Sequence, residues 1–134
     1  VSLIEEACRC DIDRGVRAVI DGAAIESGRF ADAVIGTGPL PGTPEWEAEQ
    51  TTERLGERAI AWQLVSLRVQ LAAGLDGLET VTVLRVQGAT WAVIGRAAGM
   101  SRQSAHERWG ARTTSVLDPY GTGLPTNVAD DTPS

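Results

Sequence analysis

The chain has 134 residues, 43% of them hydrophobic and 22% charged, proportions that exclude wholesale disorder and suit one compact folding unit. No apolar run approaches the roughly 18 residues needed to span a bilayer, and no basic segment followed by an apolar one opens the chain, so the expected address is the cytoplasm. The net charge of −6 argues against nucleic acid, but residues 1–77 sum to −6 and residues 117–134 to −3, whereas residues 78–116, with arginines 85, 96, 102, 108 and 112 against Glu79 and Glu107, sum to +3.

From Ser2 to Ile25 the apolar positions Leu3, Ile4, Ala7, Ile12, Val16, Val19 and Ile20 recur at threes and fours, which predicts one amphipathic helix with a break near Gly22. Cys8 and Cys10 stand too close in sequence for an easy intrachain bridge, and His106 is the only histidine. Reduced thiols and no metal site are therefore expected. A second helix is expected over 27–35, with Ser27 as a weak N-cap. Three glycines and three prolines between Gly36 and Pro44 then require a loop.

Thr43 or Pro44 opens the next helix, because proline is tolerated in a first turn and Glu45, Glu47 and Glu49 suit the positive end of the helix dipole. It should run to about Ala73, with Gly74 ending it, so that residues 45–77 form a long central element. Ile60, Leu64, Leu67, Leu71 and Leu75 share one face of this helix; Leu55, Trp62, Val65 and Val69 share the opposite one. A surface helix needs only one apolar stripe. The second must meet either another helix of the same subunit or a partner chain, and in the latter case Leu55, Trp62, Val65 and Val69 make a homodimer interface.

A short helix from Leu78 to about Val86 turns Leu78, Val81 and Leu84 or Val86 inward before Gln87-Gly88 stops it. Thr90 caps the following helix, whose inward face is Trp91, Ile94 and Ala98. Gly99 supplies a left-handed corner, Met100 fills the space beneath it, and Ser101 caps a last helix over 101–110 that sends Ala105 and Trp109 to the core. Gly95 is small where the two helices pass closely, with Ala105 at the crossing. From Leu117 to Ser134 periodicity is absent, and a mobile tail is expected. The expected class is all-α: a helical bundle ending in a tri-helical helix-turn-helix, with no wing, since no alternating strand follows Trp109.

The run Gly88-Ala-Thr-Trp-Ala-Val-Ile-Gly-Arg-Ala-Ala-Gly-Met-Ser-Arg-Gln-Ser-Ala-His-Glu-Arg-Trp109 resembles the tri-helical helix-turn-helix segments of regulators from high-GC bacteria, related in pattern to the C-terminal promoter-reading domain of sigma factors. The resemblance covers about Leu78 to Arg112. A GC-rich bacterial origin also fits the use of arginine to the exclusion of lysine. The resemblance implies that helix 90–98 lies across a DNA groove and helix 101–110 enters the major groove. Arg102 and Gln103 then have the chemistry for bidentate contacts to guanine and adenine, with His106 and Glu107 on the same side. Ser101 and Ser104 can bond a phosphate or a base, Arg96, Arg108 and Arg112 suit phosphates, and Thr90 can hold one by a backbone amide.

Each of these residues has a plainer alternative. The arginines can solvate the helix surface, Glu107 can pair with an arginine, and His106 can be an ordinary half-packed histidine. Trp91 and Trp109 read as core side chains. No nucleophile, base and orienting group can be assembled around one histidine, and no glycine-rich phosphate loop follows a strand, so neither catalytic residues nor a cofactor are expected. The sequence thus points to a dimeric transcriptional regulator on double-stranded DNA, two weakly charged modules reading half-sites one turn apart. The rival is a protein-interaction module on the same fold, an adaptor of RNA polymerase or a sigma factor, or an antitoxin.

Overall fold

The computed structural model describes residues 2–51 and 54–123, with the backbone alone for Arg54 and Leu55, and all secondary structure among them is helical. The helices are α1 (Leu3–Arg9), α2 (Asp13–Ile35), α3 (Pro44–Gln50), α4 (Arg54–Ala72), α5 (Leu78–Val86), α6 (Trp91–Ala98) and α7 (Arg102–Leu117). None of these helices is long and apolar enough to cross a membrane.

Several boundaries differ from the sequence reading; the separate helix expected over 27–35 is the continuous end of α2, with Ser27 buried inside it instead of capping a new start. The expected break near Gly22 lies instead at Cys10 to Ile12, where Cys10 is extended and the Asp11 carboxylate accepts the Asp13 N–H at 3.0 Å, restarting the helix. Through Gly22 the helix is continuous: one glycine costs about 1 kcal/mol of propensity, and the packing of Ser27, Gly28 and Ala31 further along α2 outweighs it. The single helix expected from Thr43 to Ala73 is likewise two. Thr43 does cap α3, but Thr51 returns its hydroxyl to the Ala48 carbonyl at 3.0 Å, an alternative to helix continuation. The break lets Glu49, only 8% exposed, meet Arg58 of α4 at 2.6 Å.

Helix α4 is the spine. Its Leu67 is fully buried among Val81, Leu84, Ala89, Trp91, Ile94, Ala105 and Trp109, with Ile60, Leu64 and Leu71 packed against that cluster. Leu84, not Val86, is the inward residue of α5, since Val86 is 69% exposed. The opposite face of α4 meets α2. There Trp62 donates its indole N–H to Asp32 Oδ1 at 2.7 Å, and its ring sits 3.0 Å from where a Cβ on Gly28 would be. Val65 and Val69 are half-buried on the same side of the helix, while the Leu55 side chain lies outside the described residues. Of the two neighbours the sequence allowed for this face, α2 of the same chain therefore covers Trp62.

A polar link crosses the bundle. Gln70 of α4 donates to Ser27 Oγ on α2 at 3.1 Å and accepts from Thr80 Oγ1 on α5 at 2.8 Å. Helices α5 and α6 then pack on the inner face of α4, and α7 packs on both α5 and α6. Helix α7 runs to Leu117, past the expected end near 110, and Asp118 organises a turn by accepting from the N–H groups of Thr122 and Gly123 at 2.8 Å. The start of the expected tail is thus ordered; residues 124–134 lie outside the described part.

Candidate nucleic-acid interface

Local signals build the α6–α7 pair. Thr90 Oγ1 accepts the Val93 N–H at 3.2 Å and Ser101 Oγ accepts the Ser104 N–H at 3.0 Å, so each helix starts on a side-chain cap. Between them Gly99 is left-handed, with φ 73° and ψ 30°, and the Met100 N–H bonds back to the Gly95 carbonyl at 2.8 Å. Gly95 is needed for closeness. A Cβ there would stand 2.8 Å from the carbonyl oxygens of both Met100 and Ser101. Its neighbour is the backbone of the turn, not the helix crossing at Ala105 that the sequence suggested.

Helix α7 buries Ala105, Trp109, Gly110 and Thr113. This sets the phase of every other side chain on it. Gln103, Ser104, Glu107 and Arg108 are exposed, and with Ala111 and Ser115 they continue along one outer face. The face extends further than expected because Thr113, Thr114 and Ser115 stay helical, their hydroxyls satisfied at 2.9 to 3.0 Å by the carbonyls of Gly110 and Ala111. Ala111 and Ser115 were missed from sequence, although their spacing from Ser104 and Glu107 follows the helical repeat.

Two of the expected contact residues turn partly inward. Arg102 and His106 are half-buried, on the side of α7 nearest its buried line. The His106 ring meets Trp91 edge-on, with centroids 5.5 Å apart and planes at 89°, and lies against Gly110, where a Cβ would be 3.1 Å from it. His106 is thus the half-packed histidine of the plainer alternative, and it seals the edge of the core. Gln103 donates to Glu107 Oε1 at 3.2 Å, so Glu107 meets a glutamine where an arginine was expected.

The arginines divide by surroundings. Arg85 is 8% exposed, lies 4.7 Å from the Trp91 ring centroid and donates to the Ala89 carbonyl at 2.8 Å, which makes it part of the core. Arg112 is exposed but pairs with Asp76 at 2.9 Å. The hydrogen bond from Arg112, aided by its charge, holds the Asp76 carboxyl below its usual range against the opposing effect of partial burial. Arg108 is exposed and stacks over Trp109 at 4.6 Å; Arg96 is exposed on α6. The positive surface is therefore narrower than the summed charge of residues 78–116 suggests.

Trp91 and Trp109 are 2% and 0% exposed. They are core side chains, and neither offers a face for base stacking. The chain matched no family model, no curated protein and no solved structure.

Proposed function

We propose that the protein binds double-stranded DNA sequence-specifically, as a small regulator of transcription whose α5–α7 unit is a wingless tri-helical helix-turn-helix. One observation carries the reading. The left-handed corner at Gly99 sets α7 across α6 so that Gln103, Ser104, Glu107 and Arg108 stand outward together from its first turns. A glutamine in that position has the geometry to read adenine in the major groove, Ser104 can reach a base or phosphate, and Arg96 and Arg108 flank them as phosphate contacts. Arg102 contributes from the edge of this face.

The test begins by selecting bound duplexes from a random pool and then titrating the best of them. The reading expects affinity that falls steeply with salt. Arg102→Ala with Gln103→Ala is expected to flatten discrimination between sequences by about 1–3 kcal/mol per lost bidentate contact. Failure to retain any duplex at low salt would overturn it.

A second reading has its own support. The engagement of Arg85 and Arg112 within the fold, together with the exposed Glu107 carboxylate in the middle of the outer face, favours a protein surface as the target of α7. Salt-insensitive capture of RNA polymerase or a sigma factor by the chain, lost on Gln103→Ala, would establish that reading in place of the first.

A further inference from the structure

Helices α2 and α4 run antiparallel, with Ile35 beside Arg58 and Ser27 beside Gln70, so α4 ends opposite the middle of α2. Beyond that point α2 faces the corner that leads into α5, and a partly enclosed cavity of about 380 Å³ lies between them. Its α2 wall is Ile20, Ala23 and Ala24, and the short side chains of the two alanines leave the gap unfilled. The opposite wall is Leu75 and Leu78 with the backbone of Gly77. Gly77 is left-handed, with φ 81°, and a Cβ on it would stand 2.7 Å from Leu67 Cδ1, so this wall is held tightly to the core. Gln70 also lines the cavity, its amide engaged at both ends by Ser27 and Thr80. The walls are therefore in place before any ligand arrives. The volume falls at the lower end of the roughly 300–1,000 Å³ usual for small-molecule sites.

The charged groups that line the cavity are Asp76 and Glu79, both acids. Asp76 is committed: its carboxylate binds Arg112 at 2.9 Å and accepts the Leu78 N–H. Glu79 is less well matched. Its partner Arg17 lies 3.4 Å away and sits closer to Asp21, at 2.9 Å, so one guanidinium serves two carboxylates. An anion does not suit the cavity even though α5 begins there, because Asp76 already takes an N–H of the first turn and Glu79 stands in that turn. We infer that the cavity binds a small organic amine, its ring or short alkyl body against Ile20, Leu75 and Leu78 and its ammonium group at the Glu79 carboxylate. Burial of the apolar body supplies most of the affinity. The charge-assisted hydrogen bond to Glu79 supplies the preference for an amine over an acid. The site rests on this cavity alone and holds whether or not α7 meets DNA.

Titration of the isotope-labelled full chain with benzylamine, phenethylamine and cyclohexylamine, followed by nuclear magnetic resonance, tests it. At least one amine should bind saturably with a Kd of about 1 mM or below, as suits a fragment of this size. The amides of Gly77 and Glu79 should shift, and so should the indole N–H of Trp109, which bonds to the Asp76 carbonyl at 3.1 Å. Phenethyl alcohol, the same body without the charge, should bind about threefold more weakly or worse, and phenylacetate should not bind. Ala23→Leu, which fills the cavity, should abolish binding with the helical circular dichroism unchanged. Glu79→Gln, at an exposed site, should weaken the amines about three- to fivefold and leave the alcohol as it was. Failure of all three amines to bind, equal binding of phenylacetate, or binding that survives Ala23→Leu overturns the inference. Loss of duplex binding in a chain whose cavity still takes the amine counts only against the reading of α7.

Discussion

The first 35 residues and the α5–α7 unit carry similar apolar repeats and dispose of them differently. In the C-terminal unit the large side chains Trp109, Leu84, Ile94 and Val81 are fully buried around Leu67 of α4. In α1 and α2 the buried residues are Ser27, Gly28 and Ala31, and most of the large side chains, Ile20 and Ile35 excepted, face outward. Three short helices can wrap one another and a spine. A long helix that touches the bundle along one side is left with the other. Apolar periodicity thus marks where a contact is wanted, and only the number of available neighbours decides whether the chain itself supplies it.

The sharpest way to break this contrast is truncation. Trp109→Ala should cost about 3–5 kcal/mol in urea unfolding, as a fully buried tryptophan does, whereas Val19→Ala should stay within about 0.5 kcal/mol. Glycine substitutions come next and should differ in sign. Gly95→Ala drives a methyl into the backbone of the turn, for about 1–3 kcal/mol of destabilisation, and should loosen α7 enough to impair whatever it binds. Gly15→Ala, with open space around the new methyl, should stabilise the protein by about 0.5–1 kcal/mol, readable as a rise in thermal midpoint.

The smallest effect concerns pH. The Asp76 carboxyl is held low in the folded protein by Arg112. Its contribution is present above the unfolded carboxylate value and is lost as pH falls through the lower folded one. Asp76→Asn should therefore flatten the acid limb of the stability profile, slightly, because the pair is 45–50% exposed and screened by water. An unchanged limb would show that the corner before α5 is held without this pair.

The C-terminal elements were the most legible. Residues 78–86, the caps Thr90 and Ser101, and the left-handed Gly99 were all readable because each depends on a neighbour a few positions away. Helix breaks were less so: Asp11 restarting a helix and Thr51 ending one compete weakly with continuation, and tertiary contacts such as Glu49 to Arg58 tip the balance. Rotational phase was the hardest. The sequence shows that α7 has an inner line but not that Arg102 and His106 border it, which depends on where Trp91 sits. For the same reason the summed charge of residues 78–116 includes Arg85, which is buried over that ring.

One residue before α5 has a consequence for all of these side chains. Asp76 accepts the Trp109 indole N–H on its carbonyl at 3.1 Å and binds Arg112 on its carboxylate at 2.9 Å. A single tether leaves a helix able to roll about its long axis; two, one turn apart on α7 and ending on the same residue, resist rolling in either sense. The direction in which Gln103 points, fixed first by the buried line of α7, is reinforced from further along its own helix, so loss of the Asp76 carboxylate removes one of the two tethers without touching the surface that does the presenting.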